Sequence, residues 1–186
     1  SYLTFTDEQI VGQFLQDFIR NKDRFSFPKK IGEGITLHRA IDTFTDAHPE
    51  IHEAKKIFSP LVRLYAGAFV DVAFDYFLAN SLPDKILKEH SEKVYRVLRN
   101  YDEFLPPNFL RMLDSMEKDN WLYNYRSDWG IEFSMKNVLN KAKYLNKNLA
   151  VFDVFLNNKP RLQYHFDHFF PDLLAEVQKI DSGFRY

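Results

Sequence analysis

The chain has 186 residues, 45% hydrophobic and 17% aromatic with 19 Phe, which excludes a disordered chain and suits one domain with a packed aromatic interior. Its 25 Lys and Arg against 26 Asp and Glu leave a net charge of −1, so nothing global marks a nucleic-acid binder, although local basic patches stay open. The absence of cysteine excludes disulfides, thiolate metal sites and cysteine nucleophiles together, and no stretch reads as a membrane span or a leader, so the expectation is a cytoplasmic protein.

Gly is scarce, at 6, and apolar residues recur at three and four rather than two, so residues 1–186 are expected to form a single-domain, all-α helical bundle. Thr6 with Gln9 makes a capping box before "DEQIVGQFLQDFIRN", whose Ile10, Val11, Phe14, Leu15 and Phe18 give the first helix one apolar face. "KDRFSFPKK" reads as a loop. The second helix is carried by "LHRAIDTFTDAHPE", with Leu37, Ile41 and Phe44 as its core stripe, and stops near Pro49, because proline disfavours helix in the residue before it. Pro49 can itself open the next short helix, "PEIHEAKKIF". Residues 60–82 are apolar on almost every side, as expected of a central helix surrounded by others. A helix over 84–100, a break at Pro106-Pro107, a helix through "NFLRMLDSMEKDNW" and segments over 133–146 and 148–169 complete the chain, without internal repeats.

The chemistry gathers on two of these helices. His38, Asp42 and Asp46 stand four residues apart in series, on consecutive turns beside the core stripe. Asp71 and Asp75 are also four apart, on a helix expected to be buried, where two carboxylates repel unless a cation or a proton neutralises one. Imidazole and carboxylates without thiolates suit Mn²⁺, Fe²⁺ or Mg²⁺ rather than structural zinc, and Asp17, flanking the first apolar face, is a further candidate. The same spacing also fits an interfacial His38, an Asp42 paired with an arginine, an Asp46 facing water, and a buried salt bridge from Asp71 and Asp75 to Arg20 or Arg39. His165 and His168 lack a second ligand-rich segment. Trp121, Tyr123, Tyr125, Arg126 and Trp129 read as core packing or as the lining for an elongated substrate. Lys29, Lys30, Lys55 and Lys56 suit a solvated surface or an acidic partner. No Gly-rich phosphate loop and no G-x-S-x-G elbow occurs.

"GQFLQDFIRN", "GITLHRAIDTFTD" and "FVDVAFDYFLAN", in this order and followed by "NWLYNYRS" and "NVLN", resemble the acyl carrier protein phosphodiesterases over nearly the whole chain; the H-R-x-I-D-x-x-T-D run is the most specific part. The resemblance implies an all-helical fold distantly related to the HD-domain phosphohydrolases. It implies hydrolysis of the phosphodiester between 4′-phosphopantetheine and a serine of acyl carrier protein, usually with Mn²⁺. By position it implies metal ligands at Asp17, His38, Asp42 and Asp71, a proton acceptor at Asp46 or Asp75, and a phosphoryl-neutralising role for Arg39, which could equally hold Asp42 or Asp17. Family members commonly begin Met-Asn-Phe-Leu-Ala-His; here the chain opens "SYLTF", so that His would fall just before Ser1, and Asp75-Tyr76 stands where the family often has Asp-His. Because acyl carrier proteins are acidic, the resemblance also implies a local basic docking surface, with Arg20, Arg24, Lys29 and Lys30 nearest the motifs in sequence. Two other classes share these features: an HD-like nucleotide phosphohydrolase, and a non-catalytic helical module that binds an acidic partner.

Overall fold

The computed structural model describes residues 2–184, which form α-helices and short 3-10 turns without a strand, in accord with the all-α expectation. The helices are α1 (Asp7–Leu15), α2 (Lys29–Ala47), α3 (Pro49–Val62), α4 (Ala66–Ser81), α5 (Asp84–Asn100), α6 (Pro107–Lys118), α7 (Trp121–Asn124), α8 (Asp128–Lys141) and α9 (Val151–Phe184). The chain divides into two compact units, one from Ser1–Thr45, Lys88–Asn120 and Asp172–Tyr186 and the other from Asp46–Leu87 and Trp121–Pro171.

In the first unit, α1 opens with the expected capping box: Thr6 accepts from the Gln9 backbone N–H, and the Gln9 side chain accepts from the backbone N–H of Thr6. Gln9 is buried, and its amide also donates to buried Asp181 at 3.2 Å, so this polar pair is satisfied inside the unit. Helix α1 lies tightly on α2 because two glycines face each other's backbone. A Cβ at Gly12 would stand 2.2 Å from the Ile31 carbonyl oxygen, and one at Gly34 would stand 2.4 Å from that of Gln9. Ile10, Val11, Leu15, Ile31, Ile35 and Leu37 fill the seam around this crossing. Phe14 and Phe18 stack on Phe109 of α6. Of the expected α2 stripe only Leu37 is fully buried. Ile41 and Phe44, nearer the helix end, are partly exposed.

In the second unit, Ile51, Ala54, Phe58 and Val62 form a stripe at helical spacing on α3, which packs against α4. Phe74 and Phe77 of α4 meet Phe166 at 5.4 and 5.8 Å between ring centroids. The expected helix over 60–82 is divided. Pro60 belongs to the last turn of α3, Arg63 takes a positive φ of 52°, and a 3-10 turn over Arg63–Tyr65 leads into α4. By length and composition the run Pro49–Ser81 is long and apolar enough to cross a membrane, contrary to the sequence expectation; the turn at Arg63 breaks it into two helices that pack on each other. Helix α6 ends at Lys118, where the positive φ of 45° at Asn120 turns the chain, and α9 continues past Phe169 to Phe184 with Pro160 and Pro171 inside it.

Candidate metal centre

The α1–α2 crossing brings together residues far apart in sequence. Past the end of α1, Asp17 sits in a 3-10 turn over Gln16–Phe18, while His38 and Asp42 occupy consecutive turns of α2. The His38 ring is anchored by one nitrogen: Nδ1–H donates to the main-chain carbonyl of Gln13 at 2.7 Å. That bond directs Nε2 to Asp42 Oδ2 at 3.3 Å and Asp17 Oδ1 at 3.6 Å. A neutral imidazole tied this way presents a lone pair to two carboxylates, so the arrangement calls for a positive charge at Nε2, either a proton or a metal ion. Burial works against the charged ring, but Asp42 and then Asp17 outweigh it and hold the His38 pKa above its ordinary value.

Among the described residues no group of three or more His, Asp or Glu side chains is arranged to enclose a metal ion. With the two carboxylates 3.3 and 3.6 Å from Nε2, a protonated His38 ring would pair with both of them. The donor set nonetheless fits a divalent ion. One imidazole nitrogen is oriented by a carbonyl behind it, two oxygen ligands stand on the same side, and both carboxylates are well exposed, at 68% and 60%, which leaves room for water or substrate.

The other expected site residues lie as follows. Arg39 donates to the Asn21 side chain, an alternative to the expected hold on Asp42 or Asp17. Asp46 is engaged by Lys55 at 3.0 Å, and its main-chain carbonyl accepts from His52 Nε2–H at 2.8 Å. In the second unit, Asp71 is exposed rather than buried, because α4 turns its Phe69, Ala73 and Phe77 side to the core and Asp71 to the opposite one. Asp75, one turn on, is half-buried; burial first and the neighbouring Asp71 second push its pKa up to about 7. Of the two arginines weighed as partners for these carboxylates, Arg20 pairs with Asp23 at 2.8 Å and Arg39 bonds Asn21. The position ahead of Ser1, where the family's histidine is expected, lies outside the described residues.

Tyr76, standing where the family often has histidine, accepts a hydrogen bond from Lys159 at 3.2 Å, and Lys159 also pairs with Asp128 at 2.6 Å. His165 faces Glu50 at 2.6 Å, and His168 donates to the Tyr164 carbonyl. Tyr123 and Arg126 both bind Asp84, which gives the aromatic cluster at least a structural role. Sequence reasoning missed Gln13 and Asn21. A main-chain acceptor carries no side-chain signature, and an asparagine in a polar loop does not stand out.

The family model described as acyl carrier protein phosphodiesterase matches residues 1–173. Proteins named acyl carrier protein phosphodiesterase from Salmonella agona, Salmonella dublin and Salmonella newport are each 29% identical to this chain over 184 residues, covering 93% of it and 92% of their own length. No solved structure matches. The chain belongs to the acyl carrier protein phosphodiesterase family, a family of phosphoric diester hydrolases.

Proposed function

We propose that this chain removes 4′-phosphopantetheine from holo-acyl carrier protein: water adds at phosphorus, the bond to the serine oxygen breaks, and the apo protein and free 4′-phosphopantetheine leave. The observation that carries the reading at the site is the His38 ring, fixed by Gln13 so that Nε2 faces Asp17 and Asp42. These three residues would hold a divalent ion, with Mn²⁺ the first expectation and Mg²⁺ or Fe²⁺ the alternatives. Such an ion supplies Lewis-acid stabilisation of phosphoryl charge and eases deprotonation of water near neutral pH.

The remaining roles fall to the chain's own groups. Arg39, steadied by Asn21, offers forked donors to phosphoryl oxygens. Asp46 or Asp75 would accept the proton: Asp46 is paired with Lys55, and a carboxylate titrating at about 7, as Asp75 does, takes and returns a proton readily near neutral pH. Asp71, one helical turn before Asp75, favours the protonated form of Asp75. The distant relation to HD-domain phosphohydrolases and a cytoplasmic location belong to the same proposal.

The test is the intact mass of holo-acyl carrier protein after incubation with Mn²⁺ and the protein. The expected result is loss of the phosphopantetheine mass, slowed by at least about 100-fold in Asp42→Asn, which keeps the side-chain size and removes the charge. An unchanged carrier mass with the wild-type chain would falsify the reaction. Unchanged metal content and turnover in Asp42→Asn would remove Asp42 from the ligand set.

A further inference from the structure

Residues 20–30, "RNKDRFSFPKK", carry Arg20, Lys22, Arg24, Lys29 and Lys30 against the single carboxylate of Asp23, in a chain whose net charge is −1. Arg20 engages that carboxylate, and Lys30 engages buried Glu33 at 2.9 Å. Lys22 and Lys29 are exposed. Amid these cations Phe25 is 79% exposed, with the Arg24 guanidinium 4.4 Å from its ring centroid. Beside it lies a cavity of about 440 Å³ walled by Phe25, Phe27, Ile35 and Phe184, with Arg24 and Lys29 also in its lining. Phe27 is braced from behind by Phe104. Gly32 forms part of the lining, and nothing lies within 4 Å of where its Cβ would be.

An exposed aromatic ring next to a largely apolar recess, with Arg24 and Lys29 in its lining, is the composition of an anchor site with a charged rim. We propose that this surface docks the acidic carrier protein, seating one of its apolar side chains in the cavity while carboxylates around that side chain meet Lys22, Arg24 and Lys29. The inference rests on the reading above for the partner's identity. Charge complementarity selects an acidic partner, and the apolar walls select a protein side chain over a polyphosphate, which the Glu33 carboxylate in the lining would also repel. The segment also runs directly from the turn that carries Asp17 into the helix that carries His38, within one compact unit.

The experiment titrates fluorescently labelled apo-acyl carrier protein, which has no scissile bond, onto the full chain and its variants at low and at physiological salt, with anisotropy as the readout. Phe25→Ala removes the anchor, and Gly32→Leu adds a side chain at the cavity lining where a Cβ meets open space, with a gain in helix propensity, so it is expected to fold; its melting temperature checks this. Each is expected to weaken binding by about 10-fold or more, and Lys29→Glu to weaken it and flatten its salt dependence. With holo-carrier, the same variants should raise KM and leave kcat unchanged. No binding to the wild-type chain, less than about a twofold change in all three variants, or tighter binding of a labelled oligonucleotide than of the carrier would each overturn the proposal. Hydrolysis with unaltered KM in every variant would leave the reaction standing and remove the docking surface. Variant-sensitive binding without hydrolysis would do the reverse.

Discussion

At the scale of single residues, the shifts at His38 and Asp75 give opposite meanings to the same pH axis. His38 has a raised pKa in the folded chain, so its contribution to stability is fully present below the ordinary histidine value of about 6.5 and is lost as pH rises through the higher folded value. In metal-free protein, the stability gap between wild type and His38→Gln should therefore shrink as pH is raised above about 6.5; a gap independent of pH would show that the ring is not charged there. Asp75 also has a raised pKa, but for a carboxylate this is a cost. The fold disfavours its ionised form, so stability falls as pH climbs from the unfolded value near 3.8 to about 7 and then levels. Asp75→Asn is expected to match the wild type near pH 3.5 and to melt at a higher temperature at pH 8, while losing turnover. Equal melting temperatures at pH 8 would mean that Asp75 ionises freely.

At the scale of elements, the candidate metal centre depends on how closely α1 can approach α2. The missing Cβ atoms at Gly12 and Gly34 set that distance, and only at that distance does the Gln13 carbonyl reach His38. Gly34→Ala gains about 1 kcal/mol of helix propensity but pushes a methyl group into the Gln9 backbone, an overpacking cost of about 1–3 kcal/mol. The expected outcome is a lower melting temperature together with weakened Mn²⁺ binding. Retention of both would show that the crossing relaxes without disturbing His38. The turn between α3 and α4 behaves differently. Arg63 holds φ at 52° and ψ at −122°, a conformation that glycine adopts without its steric penalty. Arg63→Gly should stabilise by about 1 kcal/mol, read as a rise in melting temperature; a fall would mean that the arginine side chain supports the turn.

At the scale of the whole molecule, metal and fold should be thermodynamically linked. An ion that binds only the folded chain stabilises it by about 2.7 kcal/mol at a free concentration 100 times its Kd. Mn²⁺ is therefore expected to raise the melting temperature reversibly, with a chelator undoing the effect, and Asp42→Asn to abolish the shift. A shift of equal size in the variant would place the ion elsewhere. The relationship to the Salmonella proteins extends over most of both chains and is not confined to a short motif.

What the sequence determined by itself follows from local geometry. Periodicity at three and four residues set the helical class, Thr6 and Gln9 marked the start of α1, Pro49 marked the end of α2, and the four-residue spacing of His38 and Asp42 put them side by side on that helix. The family was legible in the same stretches. Tertiary structure decided what depends on packing between segments distant in the chain. It brought Asp17 and the Gln13 carbonyl to His38, gave Asp46 to Lys55 and Arg39 to Asn21, and left Asp71 exposed while half-burying Asp75. Local spacing fixes which side chains share a helix face. Only the depth at which one helix rests on another fixes which of them meet, and here two glycines without Cβ atoms set that depth for the site at His38.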